Sequence, residues 1–159
     1  MTITDAQLAA LKALLTGDEQ AFDRLLTGSD LARTQEFAVL TATALVLAVR
    51  RSFPPGWSPD DVVQFVACLR ARDAGAHADV NPAAAEQMLL AVLRDERVSD
   101  DFDVLVNGHA QVALLNELVA GLDNDQMEDF LAETRGEASQ WVQNQMPVTD
   151  DQTVTLRVA

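Results

Sequence analysis

Apolar residues recur along this chain three and four positions apart, the spacing that lines one face of a helix. Leu8, Leu11, Leu14 and Leu15 make the first such stripe, and Thr16-Gly17 ends it. Thr4 and Gln7 have capping-box spacing, with Ile3 and Leu8 placed as a hydrophobic staple. A short second helix is expected from about Asp18 to Leu26, with Phe22, Leu25 and Leu26 on one side and Thr27-Gly28 at its end. A third, capped by Ser29 or Asp30, runs to about Arg51. Its Phe37–Val49 section is apolar nearly all round, which predicts a central helix enclosed by the others.

Phe53-Pro54-Pro55-Gly56 breaks that run. Ser58 then caps a fourth helix, with Pro59 in the first helical position and Asp60 and Asp61 where the helix dipole favours negative charge. Val62, Phe65, Val66 and Leu69 form its inward stripe, with Cys68 beside it as inert packing, and Trp57 and Val62 have staple spacing. Asn81-Pro82 repeats the cap-and-proline device and opens a fifth helix to about Arg97, with Ala85, Met88, Leu89, Val92 and Leu93 inward. Phe102, Leu105, Val106, His109, Val112 and Ala113 keep helical spacing across Gly108. Since an interior glycine costs about 1 kcal/mol relative to alanine, one long helix is expected from Ser99 to Leu122, with a weak point at Asn107-Gly108. Asp123 and Gln126 form another capping box, stapled by Leu122 and Met127. The last helix runs to about Gln145, with Met127, Phe130, Leu131, Thr134, Trp141 and Val142 inward. The expected fold is therefore all-α: a bundle of about six helices over residues 1–147, with a short tail at 148–159. In that tail Val154, Leu156 and Val158 alternate with polar residues at strand period, so it is expected to be mobile, or else docked on the bundle or a neighbouring chain.

Composition narrows the functional classes. The 159 residues are 48% apolar, enough for one folded domain. The net charge is −14, and ten of those charges lie beyond Val98, where Arg135 and Arg157 face twelve acidic side chains. Such a surface repels phosphate backbones, so no nucleic-acid partner is expected. The longest apolar run is too short to cross a membrane, which takes about 20 residues. Cys68 is the only cysteine, and the first residues lack the basic and apolar segments of a secretion signal. A cytoplasmic setting follows as the expectation.

Candidate chemistry is sparse. His77 and His109 lack a metal-binding neighbour at helical spacing, and His109 reads as a core histidine. The acidic clusters at Asp95–Asp103 and Asp123–Asp129 do not match a calcium loop. No residue constellation supports catalysis, so no cofactor is assigned and an enzyme is not favoured. Arg50, Arg51, Arg94 and Arg97 fall at predicted helix C-termini, where they compensate the dipole, or converge as an anion site if those ends meet. Trp57, beside the Pro-Pro turn, is a candidate recognition residue, as are Val154, Leu156 and Val158.

An arginine-flanked apolar helix followed by Trp-Ser-Pro-Asp-Asp-Val-Val-Gln-Phe-Val-Ala, with the match running from Phe53 to Leu69, resembles small acidic all-helical proteins of actinobacteria. That group carries no assigned function, so the resemblance implies no site residues. The expectation is a protein-interaction or regulatory module, with a protein partner or self-association. The alternatives are a small-ligand-binding bundle with an apolar pocket, and an acidic inhibitor of a basic protein.

Overall fold

A computed structural model describes residues 3–27, 35–72, 79–97 and 101–145. Among them are seven helices: α1 (Asp5–Thr16), α2 (Glu19–Thr27), α3 (Gln35–Ser52), α4 (Pro59–Ala71), α5 (Pro82–Leu93), α6 (Val104–Val119) and α7 (Asn124–Gln145). Ser29, Asp30, His77 and the whole of 148–159, with Val154, Leu156 and Val158, lie outside the described residues.

The helix starts follow from local chemistry. At α1 the Gln7 amide donates to Thr4 Oγ1 (3.2 Å), while the Thr4 amide donates to Gln7 Oε1 (2.9 Å). Ile3, just before the cap, is fully buried, and Gly17 closes the helix at φ 73°, which glycine adopts without a Cβ clash. At α4 the capping box is closed by Asp61, whose carboxylate accepts from the Ser58 amide at 2.9 Å. Asn81 caps α5, and Asp123 with Gln126 forms a reciprocal box at α7 with bonds of 2.8 and 3.0 Å.

Helices α3 and α6 form the centre. α3 packs on α1, α5, α6 and α7, and α6 on α1, α3, α4 and α5. The shared core holds Leu11, Leu40, Val62, Leu69, Leu89, Leu114, Leu115 and Phe130. Two ring contacts extend it: Phe22 lies 6.5 Å from Phe37, and Phe53 meets Phe65 edge-on at 5.5 Å. Exposed ion pairs tie the termini together. Arg135 of α7 reaches Asp5 (2.6 Å) and donates to the Ile3 carbonyl (3.1 Å), and Lys12 pairs with Glu128.

The structure corrects several expectations. α6 is one helix across Gly108, but it begins at the Asp103 cap, whose carboxylate accepts from the Val106 amide at 2.9 Å. Its inward face is Ala110, Ala113, Leu114, Leu115 and Val119. Leu105 is 84% exposed and His109 is exposed, so His109 is not a core histidine. α5 stops at Leu93, leaving Arg94 as the C-cap and Arg97 beyond the end. Cys68 is exposed, and Trp141 is 47% exposed and not inward. α3 is not enclosed: Phe37, Leu40, Ala44, Leu45, Ala48 and Val49 are buried, but Ala38 and Ala42 are exposed. No helix is long and apolar enough to cross a membrane among the described residues.

Candidate functional site: an open trough along α3

At 100° per residue, Ala38, Ala42, Gln35, Val46, Val39 and Thr43 occupy one continuous sector of α3, about 140° wide. This sector forms the floor of two adjoining hollows. The first, about 600 Å³, lies between α3 and α7, and Glu137, Gln140, Trp141 and Asn144 make its far wall. The second, about 430 Å³, lies between α3 and the α5–α6 pair, with Met88, Ala91, Val92, Asn107 and Gln111 opposite. Ala38, Ala42, Val46 and Asp95 border both. Sharing that border, the two make one trough.

The trough is apolar below and acidic along its edges. Asp95, Glu96 and Glu137 stand on the rims, with Arg50 at one end. Among the described residues no ion pair engages Asp95, Glu96 or Glu137; the ion pairs are Lys12–Glu128, Arg51–Glu133, Arg72–Glu117 and Arg135–Asp5.

Asp95 sits in an unusual place. α5 ends in a Schellman motif: the Glu96 amide donates to the Ala91 carbonyl (2.8 Å) and the Asp95 amide to the Val92 carbonyl (3.3 Å). The motif needs a left-handed residue, and Asp95 fills it at φ 55°, the only non-glycine residue with positive φ among those described. Glycine is preferred there, because a Cβ in this conformation costs about 1 kcal/mol. A carboxylate at a helix C-terminus also opposes the dipole. Asp95 is thus unfavourable on both counts, and it borders both hollows and the smaller pocket at Trp57.

The four candidate arginines are placed as follows. The C-termini of α3 and α5 do lie together, since Arg50, Phe53, Pro55, Trp57, Val92, Leu93 and Asp95 share one pocket of about 360 Å³. Arg50 faces that pocket beside Asp95. Arg51 turns the other way, pairing with Glu133 and lying 5.2 Å over the Phe130 ring. Arg94 and Arg97 are exposed at the end of α5. Trp57 is half-buried against the core, its amide bonded to the Pro54 carbonyl at 3.2 Å.

Sequence reasoning missed the trough because it read the α3 run as uniformly buried. The signal was present: Ala38 and Ala42, the small residues at i and i+4, fall on one side, and the bulkier Phe37 and Leu40 fall away from it. It missed Asp95 because aspartate is not the residue a helix C-terminus advertises. No group of three or more metal-ligating side chains occurs among the described residues. Among the described residues, the buried side-chain oxygens without a partner, on Gln87 and Asn116, do not line the trough. Comparison with family models, curated proteins and solved structures gives no match to this chain.

Proposed function

We propose that this protein is a cytoplasmic interaction module that docks a protein segment in the trough along α3. The observation that carries the reading is the exposed sector of α3 itself. The helix that holds the chain's longest apolar run leaves Ala38 and Ala42 exposed and Val39 and Val46 partly exposed among the described residues. Grouped apolar surface on a monomer marks a binding face. The form of the trough favours a chain segment over a small molecule. A small-molecule site encloses most of its ligand around a few converging polar groups. This one is long and open, and its polar groups are spread along the edges. The acidity supports a protein partner and opposes a nucleic acid.

Site-specific photocrosslinking tests this. With benzoylphenylalanine at Ala42 of the full chain, irradiation in the source cell is expected to yield one discrete adduct with another protein, absent when the probe stands at Gln64 on the far helix α4. Equal adducts from both positions, or none from Ala42, would overturn the reading. An adduct mapped to a second copy, or to the chain's own residues 146–159, would replace the partner by that occupant.

A further inference from the structure

We infer that the occupant of the trough is a basic amphipathic helix from a partner protein, with its apolar side on α3 and its Lys and Arg side chains on the acidic rims. The inference rests on the docking reading above and specifies its partner.

Length comes first. The floor runs from Gln35 to Arg50, a rise of about 22 Å, which matches a helix of about fifteen residues. The floor profile follows. Ala38 and Ala42 are small enough to admit a second helix closely, Val39 and Val46 lie beside them on the floor, and Met88, Val92 and Trp141 supply apolar flanks. This is the arrangement of a helix-in-groove site, read by apolar anchors one turn apart.

Charge then selects among occupants. The lining presents three carboxylates, Asp95, Glu96 and Glu137, none engaged in an ion pair among the described residues, against one cation, Arg50, at its end. A second copy of this chain would bring the same carboxylates and a net charge of −14 against them, which like-charge repulsion disfavours. The chain's own residues 146–159 carry Asp150 and Asp151 against a single arginine, Arg157, so they complement the rims no better. A lysine- and arginine-bearing helix satisfies both the floor and the rims.

Asp95 supplies an independent argument. A glycine at that position would relieve the left-handed backbone and remove a charge that opposes the α5 dipole. Aspartate at a position where the local structure prefers glycine points to a role outside the fold. Its position at the border of both hollows supplies that role, as the central anionic contact.

The test uses three synthetic peptides of about fifteen residues, sharing one leucine–alanine face and differing in the outer positions. One is lysine-rich, one glutamine-rich and one glutamate-rich. Each carries a dye, and binding to the full chain is read by fluorescence anisotropy. The lysine-rich peptide is expected to bind at least about tenfold more tightly than the other two, and to lose about tenfold between ~50 and ~300 mM salt. The combined variant Asp95→Asn, Glu96→Gln, Glu137→Gln is expected to abolish that charge preference, so that the three peptides bind alike. Ala42→Gln, an exposed substitution that keeps a good helix former, should weaken all three.

Equal binding of the three peptides, all lost in Ala42→Gln, would overturn the basic partner and leave the docking face standing. Binding of the lysine-rich peptide that ignores Ala42→Gln would overturn both. No binding by any of the three would overturn the basic helix, and the crosslinking result at Ala42 then decides the docking face alone.

Discussion

At the scale of single residues, Asp95 and Arg51 show opposite relations between a side chain and the fold. Arg51 stabilises it. Its guanidinium joins Glu133 of α7 and lies over the Phe130 ring, fastening the end of α3 to the last helix. Both contacts are partly exposed, so each is modest, and Arg51→Ala is expected to cost about 1 kcal/mol of unfolding free energy in a urea titration. Asp95 works against the fold. Asp95→Gly is expected to raise stability by about 1 kcal/mol, and Asp95→Asn, which tolerates the left-handed conformation, by about half as much. A loss of stability in Asp95→Gly would show that the aspartate is held by the fold, which would remove one argument for its role at the trough.

At the scale of helices, the caps explain why so much of the architecture was legible. Thr4, Ser58, Asn81 and Asp123 each accept the predicted backbone bond, and three of them carry a reciprocal partner. A cap is local chemistry, so local sequence reveals it. What failed was the facing of α3 and α6, because burial depends on neighbours that a single stretch does not contain. The stripe Phe102, Leu105, Val106, His109, Val112 and Ala113 satisfies helical spacing, yet of these only Ala113 is buried, Leu105 and His109 are exposed, and α6 turns Ala110, Leu114 and Leu115 to the core beside Ala113. The start of α6 was placed too early because Asp103 was read as part of an acidic cluster and not as a cap. α3 was misread in the same way: an apolar run can be buried all round or can line an open face, and periodicity does not separate the two. Continuity across Gly108 was read correctly, and it has a consequence. A Cβ at Gly108 or at Gly136 would meet no atom within 4 Å. Gly108→Ala and Gly136→Ala are therefore each expected to stabilise the protein by about 0.5–1 kcal/mol, raising the thermal midpoint measured by circular dichroism.

At the scale of the whole molecule, acidity and shape narrow one another. The negative charge is concentrated in the C-terminal half of the chain, and the sequence alone directed attention there. The structure divides that charge by use. Glu128, Glu133 and Glu117 take part in intramolecular ion pairs, while Glu137, with Asp95 and Glu96 from the end of α5, stands along an apolar floor. A net charge of this size favours solubility in general and selects no partner. Three carboxylates beside an uncovered helix face confer something more local, a preference for one sign of partner at one place. The distinction between general acidity and a built surface decides the account.

Chemical-shift mapping measures that distinction directly. With the backbone and methyl signals assigned, the lysine-rich helix is titrated into the full protein. The account predicts shifts concentrated at Ala38, Ala42, Val46, Asp95 and Trp141, with the acidic start of α7 (Asp125, Glu128 and Asp129) unmoved. Shifts centred on that acidic turn, with α3 unaffected, would show that the peptide responds to charge alone and would contradict the trough as the docking site.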